Sequence, residues 1–394
     1  ARGLGDVYKR QGLIDSNVIM KIVADANLFD IQRAFKGAGE LVLVPGRQLD
    51  REHLKDAEAL LVRSVTQVNA ELLKTSNVRF VGTFTSGADH IDNTYLESRD
   101  ITFVDAKGSN ANAVVDYCFA ALAYCITKKS LSLEDCRIGI VGGGNVGGLF
   151  AEKLRRLNVD VRICDPLLQR AATASSHEKY CSMDAVGQCD VVSLHVPLTT
   201  KTDYPTYGLI DAAFLATLPH SATLINTCRG SVVDEAALLK LLIKRPDLTC
   251  IVDVWENEPI PNSSLVQRVD IATPHIAGYS VEAKRRAITH VLGRFRKEFG
   301  LPGQEEPVYE DKKTLKITNI LKNDPWKTVL KLFPLCTFSK KFKRSYGHEN
   351  RADAFDRFRQ NMVTRREFSK MKLPYTNLEE THRSTLEALD MGFY

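Results

Sequence analysis

The sequence predicts an α/β protein in which parallel sheets carry helices on both faces. Short apolar segments of strand length alternate with segments of helical length from residue 20 to about residue 276. Glycine or proline ends several of these strands, as at Pro45-Gly46. Such alternation is typical of parallel sheets, because each crossover between parallel strands needs a helix. Ligands are therefore expected in the loops that follow the strands.

The first part of the chain contains four predicted strands, KIVADA, ELVLVPG, ALLVRS and RFVGTF. Helices are predicted between them, near residues 28–37, 50–56 and 69–74. These elements indicate a flavodoxin-like α/β domain over residues 20–110.

Residues 1–19 differ from the chain that follows them. They lack the charged and apolar regions of a signal peptide, and Met20 opens the first clean strand. We therefore expect a native start at Met20 and a non-native or disordered leader before it.

Residues 138–165, IGIVGGGNVGGLFAEKLRRLNVDVRICD, predict a βαβ unit with a glycine turn. An apolar strand precedes glycines in G-x-G-x-x-G spacing, and a helical segment and a second strand follow. The glycines permit a tight turn, the close approach of a pyrophosphate, and close packing of helix on strand. In that order they are Gly142, Gly144 and Gly147.

The ends of this unit predict dinucleotide binding. Free N–H groups at the start of the helix, at Asn145 and Val146, favour a phosphate. Asp165 ends the second strand, where a carboxylate can accept hydrogen bonds from a ribose diol and would repel a 2′-phosphate. We therefore expect NAD rather than NADP in a Rossmann-like, doubly wound domain over residues 111–280. A purely structural glycine turn is the alternative.

Three further segments complete the predicted organisation. Residues 110–127 are apolar nearly all round and predict a long buried helix. Residues 281–299 predict an amphipathic helix that returns to the first domain. Residues 305–394 change in composition and predict a separate small α+β domain, with FDRFRQNMVTRREFSKM, residues 355–371, as a helix.

Composition excludes several classes of function. The net charge is +5 and the excess falls within residues 305–394, a poor footprint for nucleic acid. No apolar run approaches the ~20 residues needed to span a bilayer. The nine cysteines show no C-x-x-C pairing. We expect reduced, buried thiols in a cytoplasmic protein, with no metal site, no nucleic-acid partner and no membrane partner.

Polar residues at the ends of later strands predict alcohol oxidation. His275 in TPHIAGYS could take the hydroxyl proton, and Glu258 in DVWENEP could hydrogen-bond to it and stabilise the imidazolium. Arg229 in NTCRG could grip a carboxylate through two N–H groups. Asp253 could accept a hydrogen bond from the carboxamide of the nicotinamide. Taken singly, each could instead be a capping, turn or solvated loop residue.

In order and spacing, the glycine turn, Asp165, NTCRG, DVWENEP and PHIAG resemble the D-2-hydroxyacid dehydrogenases. The chain is similar to one branch of that family in its length and in three further segments, RSVTQVN, GTFTSGADHID and the tail segment FDRFRQNMVTRREF. That branch implies NAD-dependent oxidation of 4-phospho-D-erythronate on a bacterial route to pyridoxal 5′-phosphate. It also implies a lid domain at residues 20–110 and a homodimer built by residues 305–394.

The resemblance also assigns roles to single residues. Arg229 and Glu258 would be active-site residues, and His275 would be the proton donor or acceptor. The expected cofactor contacts beyond the glycine turn are Asp165, Val196, Asp253 and Gly278. The expected substrate contacts are Ser64, Thr85 and Tyr279. Val196 departs from the family, which often has threonine there, so only a backbone contact would survive.

Two other functions stay open at this point. Another dehydrogenase of the family, such as a phosphoglycerate dehydrogenase, would share the site chemistry and differ in its substrate pocket. An NAD-sensing scaffold would not need Arg229, Glu258 and His275. The sequence does not say whether NADH leaves between turnovers or is re-oxidised in place by a 2-oxo acid.

Overall fold

A computed structural model describes residues 20–172, 180–302, 315–316, 324–347, 350–362, 364–375 and 378–394. These residues fall into two compact units, and each is described by itself. The first comprises residues 20–106 and 288–302, and the second comprises residues 107–287 and the described C-terminal residues. The leader expected over residues 1–19 lies outside the described residues.

The first unit is built on a five-stranded parallel sheet. Its strands are β1 (Lys21–Asp25), β2 (Glu40–Val44), β3 (Ala59–Val62), β4 (Phe80–Thr83) and β5 (Thr102–Val104). Its helices are α1 (Ile31–Ala34), α2 (Ala70–Leu73) and α3 (Asn93–Ser98). The order β2-β1-β3-β4-β5 is that of flavodoxin. The flavodoxin-like sheet predicted for this region is therefore confirmed.

The helix predicted near residues 50–56 is wrong. The chain forms only a single 3₁₀ turn there, Glu52–Leu54. The Asp50 side chain accepts a hydrogen bond from the Glu52 N–H at 3.0 Å, so a local turn replaces a helical ladder. Leu54 of this turn is buried in the apolar core of the first unit.

The second unit is built on a six-stranded parallel sheet. Its strands are β6 (Arg137–Val141), β7 (Asp160–Cys164), β8 (Val191–Leu194), β9 (Thr223–Asn226), β10 (Thr249–Val252) and β11 (Ile271–Ala272). In the order β11-β10-β9-β8-β6-β7, β7 lies on one side of β6 and the later strands on the other. The carboxyl end of β6 is therefore the switch point of a doubly wound, Rossmann-like sheet, as predicted.

The long apolar helix of the second unit is α4 (Ala111–Lys129), close to the predicted range. It is buried nearly all round, because the sheet covers one side and C-terminal helices cover the other. Further helices are α5 (Asn145–Arg156), α6 (Pro166–Ala171), α7 (Met183–Gly187), α8 (Ala212–Thr217), α9 (Glu235–Lys244) and α10 (Ser263–Arg268).

Helix α11 (Val281–Glu298) connects the two units along the chain. Its first residues belong to the second unit, and its residues from Ile288 onward belong to the first. Ile288, Val291 and Phe295 lie in the apolar core of the first unit. The predicted return helix therefore supplies core residues to the first unit.

The C-terminal residues share a core with the second unit. They form α12 (Pro325–Leu332), α13 (Leu335–Tyr346), α14 (Arg351–Gln360), α15 (Glu380–Ala388) and the strands β12 (Leu315–Lys316), β13 (Met371–Leu373) and β14 (Gly392–Phe393). The ring of Phe333 packs edge-on against Tyr117 of α4, with centroids 5.7 Å apart. This shared core places the described C-terminal residues in the same compact unit as α4.

The single helix predicted over residues 355–371 is wrong, because α14 ends at Gln360. The backbone beyond it leaves the helical ladder and bonds to other elements. The Val281 N–H donates to the Arg365 carbonyl at 2.9 Å, and the Phe368 N–H donates to Asp116 at 2.9 Å. Long-range partners thus outweigh helix propensity in this segment.

Two general properties follow from the described residues. All nine cysteines are free, and seven of them are buried, as predicted. Among these residues, no helix has both the length and the apolar character that crossing a bilayer would require.

Candidate active site

The glycine turn, residues 142–147, joins β6 to α5 at the switch point. Gly142 has a φ of 91°, and a Cβ there would lie 2.7 Å from the His195 carbonyl oxygen. A Cβ at Gly147 would lie 1.9 Å from the Gly142 carbonyl oxygen. Neither position accepts a side chain, so the turn and the contact of α5 with β6 both depend on glycine.

The glycine turn leaves room for a ligand. The space beside Gly144 is open, with nothing within 4 Å of a Cβ built there. Asp165 accepts hydrogen bonds from the Gly143 N–H at 2.9 Å and the Leu168 N–H at 3.0 Å, one on each carboxylate oxygen. Each oxygen keeps a lone pair for a further donor. This arrangement fits a pyrophosphate at α5 and a ribose diol at Asp165.

Val196 borders the same turn. Its Cγ1 would lie 2.8 Å from a Cβ at Gly142, so the side chain packs against the glycine that starts the turn. Valine has no hydroxyl, and a hydrogen bond from this position to a cofactor would have to use the backbone.

His275 and Glu258 form the central pair of the candidate site. Nδ1 of His275 lies 2.7 Å from Oε2 of Glu258, and the Trp255 N–H donates to the other carboxylate oxygen at 3.0 Å. Burial alone would raise the pKa of Glu258, but the charge and hydrogen bond of His275, the charge of Arg359 and the hydrogen bond from the Trp255 N–H together lower it. The carboxylate is therefore kept ionised beside the imidazole.

Asp253 holds the loop that carries the histidine, which we call the histidine loop (residues 273–280). Asp253 is fully buried and accepts hydrogen bonds from the Thr273 hydroxyl at 2.6 Å, the Ile276 N–H at 2.8 Å and the Ala277 N–H at 2.8 Å. Burial raises the pKa of Asp253. The sequence did not reveal this structural role, and a contact with the nicotinamide stays a prediction.

Arg229 follows β9 and lies on a loop beside the one that leads to Glu258. Its Nη1 donates to the Cys228 carbonyl at 2.7 Å. A Cβ at Gly230 would lie 1.9 Å from the Trp255 carbonyl carbon, so the two loops touch through their backbones. Because β9, β10 and β11 are neighbours in the sheet, their three loops meet at one edge.

Gly278 and Tyr279 lie at the end of the histidine loop. A Cβ at Gly278 would lie 2.5 Å from Nδ2 of Asn110, just before α4. Two cations lie near the Tyr279 ring, with Lys284 Nζ at 5.0 Å and Arg359 Cζ at 5.2 Å from its centroid. A tyrosine so placed presents its hydroxyl in a positively charged neighbourhood, which suits an anionic substrate.

Ser64 and Thr85, predicted to contact substrate, belong to the first unit. Ser64 is exposed just after β3, and Thr85 follows β4 and donates to the Gly87 carbonyl at 2.7 Å. Arg63 is paired through Nε with the buried carboxylate of Asp25 at 2.8 Å. Both hydroxyls therefore lie at the carboxyl edge of their sheet, where ligands of α/β proteins bind.

Two arginines near the histidine loop were missed by the sequence reasoning. Arg359 contacts the Tyr279 ring, and Arg365 donates to the carbonyls of Ile276 and Ala277. Both lie in FDRFRQNMVTRREF, which served only as a mark of resemblance. Its density of arginines was the one signal that could have suggested a role.

Comparison with known proteins identifies the family and the fold. Residues 125–277 match the family described as D-isomer specific 2-hydroxyacid dehydrogenase, NAD binding domain. A solved NAD⁺-bound 3-phosphoglycerate dehydrogenase of Entamoeba histolytica is 25% identical, with a TM-score of 0.60 over 72% of this chain and 96% of that one. The fold and site thus define a NAD-dependent dehydrogenase of the D-isomer specific 2-hydroxyacid class.

Curated relatives narrow the assignment. The erythronate-4-phosphate dehydrogenase of Proteus mirabilis is 44% identical over 288 residues, covering 73% of this chain and 76% of that protein. The one from Shewanella violacea is 38% identical over 395 residues, covering 95% of this chain and 99% of that protein. The chain belongs to the erythronate-4-phosphate dehydrogenase family.

Proposed function

We propose that the chain oxidises 4-phospho-D-erythronate at C2, giving 3-hydroxy-2-oxo-4-phosphooxybutanoate, on a bacterial route to pyridoxal 5′-phosphate. The observation that carries this proposal is the His275–Glu258 pair, 2.7 Å apart, on the sheet that also carries the glycine turn. The Shewanella violacea relative, similar over nearly the whole chain, supports the choice of substrate.

In this reaction the proton and the hydride leave the substrate separately. Bound NAD supplies the hydride acceptor. The Nε2 atom of His275 takes the proton of the C2 hydroxyl, while its Nδ1–H donates to Glu258. The ionised carboxylate of Glu258 orients the ring and stabilises the imidazolium that forms.

Binding roles follow from charge and position. Arg229 binds the substrate carboxylate through its guanidinium N–H groups, and Ser64, Thr85 and Tyr279 contact the rest of the substrate. The cofactor is held by the glycine turn, by Asp165, and by groups near the nicotinamide. The residues of this cofactor set are Gly142, Gly144, Asn145, Val146, Gly147, Asp165, Val196, Asp253 and Gly278.

The organisation of the chain completes the proposal. Residues 20–110 with the helix at 281–299 act as the lid domain, residues 111–280 bind NAD, and residues 305–394 build a homodimer. The free cysteines suit the reducing cytoplasm. Light scattering of the purified chain tests the assembly, and a monomeric mass would contradict it.

A substrate panel tests the activity. NADH absorbance is followed with 4-phospho-D-erythronate, 3-phosphoglycerate and D-lactate, each with and without a 2-oxo acid that could re-oxidise bound NADH. We expect the highest kcat/KM with 4-phospho-D-erythronate. A preference for 3-phosphoglycerate would instead favour a phosphoglycerate dehydrogenase, and no turnover with any of the three would favour a NAD-sensing scaffold.

A further inference from the structure

Residues 365–368, which we call the RREF segment, run alongside the histidine loop and the start of α11. The Arg365 carbonyl accepts a hydrogen bond from the Val281 N–H at 2.9 Å. Glu367 is almost fully buried and accepts hydrogen bonds from the Ser280 hydroxyl at 2.8 Å and from Arg286. The Glu367 N–H donates to Glu282 at 3.0 Å.

Arg365 binds backbone carbonyl groups of the histidine loop. Its Nη1 donates to the Ile276 carbonyl at 3.2 Å and to the Ala277 carbonyl at 2.7 Å. The N–H groups of the same two residues donate to Asp253. The two residues that follow His275 are therefore held by a buried carboxylate through their N–H groups and by a guanidinium through their carbonyls.

His275 needs such support because of its backbone. Its φ is 56°, in the left-handed region that non-glycine residues rarely adopt, and this conformation persists only where its surroundings impose it. The direction of the imidazole toward Glu258 depends on that backbone. A small displacement of the loop would therefore misplace the proton acceptor relative to the substrate hydroxyl.

Arg365 is itself held firmly. Its Nη2 donates to the Ala113 carbonyl of α4, and its guanidinium lies 4.2 Å from the centroid of the Phe333 ring. Three residues further along the chain, the Phe368 N–H donates to Asp116 of α4 at 2.9 Å. The guanidinium thus connects the histidine loop to α4, which is buried nearly all round.

We propose that Arg365 is a positioning residue for catalysis, which fixes His275 against Glu258 by binding the carbonyls of the histidine loop. The inference rests on the proposed function, in which His275 takes the hydroxyl proton. It gives the C-terminal residues a part in catalysis within the same chain, separate from any part in assembly.

The test compares Arg365→Met, Arg365→Lys and a control, Arg383→Met, in the full-length enzyme. Arg383 belongs to the same C-terminal residues but pairs with Glu387 and Tyr375, away from the histidine loop. We expect Arg365→Met to lower kcat by about 10²-fold while the Kd for NAD changes little. Lysine keeps the charge but lacks the guanidinium fork, so Arg365→Lys should recover part of the loss.

A kinetic isotope effect separates positioning from a merely structural role. With substrate deuterated at C2, Arg365→Met should show a larger effect on kcat than the parent, because the chemical step becomes slower. An unchanged kcat and isotope effect in Arg365→Met, or a loss equal to that of Arg383→Met, would overturn the inference. If Arg365→Met does not fold, Arg365→Lys decides by the same two measurements.

The parent enzyme distinguishes the two proposals. A parent without turnover of 4-phospho-D-erythronate contradicts the proposed function itself. An active parent with Arg365 variants that match it contradicts only the positioning role.

Discussion

The glycine turn and the histidine loop both follow strands of one parallel sheet, but they are stabilised by different parts of the chain. The glycine turn is shaped by its own residues and by the neighbouring strand ends, as the contacts of Gly142 and Gly147 show. The histidine loop is held by Asp253, which follows the adjacent strand, and by Arg365, which lies 90 residues after His275 in the sequence.

This difference shows that the two loops of the site are supported in two ways, one by local residues and one by distant residues. A cofactor common to many enzymes can be held by a short motif of backbone N–H groups, so a local sequence suffices. A histidine in a left-handed conformation, proposed here to take a proton, needs support from outside its own loop, and distant residues supply it. The predictions below separate these two kinds of support.

Replacing His275 should have the largest effect. Because asparagine tolerates a left-handed backbone, His275→Asn removes the proton acceptor with little strain. Turnover should fall by about 10²–10⁴-fold, while NAD binding, measured by calorimetric titration, stays near that of the parent. Severe loss of NAD binding would mean that the histidine is structural. His275→Ala should behave similarly, with an added cost in stability.

Two glycines of the turn form a matched pair. Gly147→Ala places a Cβ 1.9 Å from the Gly142 carbonyl, so the free energy of unfolding should fall by about 1–3 kcal/mol. Gly144→Ala meets nothing within 4 Å and should leave stability unchanged, yet weaken NAD binding where the pyrophosphate approaches. Chemical denaturation and NAD titration check both variants. Equal losses of stability in Gly147→Ala and Gly144→Ala would contradict the different roles expected for the two glycines.

Asp165 should affect cofactor choice more than catalysis. Asp165→Ala is expected to weaken NAD binding about tenfold and to reduce discrimination against NADP, because a carboxylate partner of the ribose is lost. Asp165→Asn is the control, since it can still cap α6 through Leu168 while removing the negative charge. Relative kcat/KM values with NAD and NADP provide the measurement. An unchanged preference in both variants would show that the acid does not face the ribose.

The effect of Glu258 on stability should be the smallest of these effects, and it should depend on pH. Its folded pKa is lowered, so its contribution is present above the ordinary glutamate pKa of 4.5 and is lost as pH falls through the lowered value. Glu258→Gln should therefore be less stable than the parent by about 1 kcal/mol or less near pH 6, and the gap should narrow once the pH is lowered below 4.5. Thermal unfolding at both pH values checks this. A gap that widens in acid would contradict the lowered pKa.

The elements that were predicted correctly are those with local causes. The strands β6 to β9, the glycine turn and α4 follow from apolar runs and glycine spacing that act over a few residues. The helix predicted over residues 355–371 failed because Arg365 and Phe368 bond to partners more than 80 residues away. Periodicity carries no information about such partners.

The sequence by itself determined the two parallel sheets, the place of the glycine turn and the identity of the His275 and Glu258 pair. It could do so because strand patterning, glycine chemistry and motif order are local properties of the chain. Only the tertiary structure decided that Asp253 and Arg365 hold the histidine loop from its two sides. Hydrogen bonds between residues so far apart exist only after the sheet, α4 and the C-terminal residues have packed together.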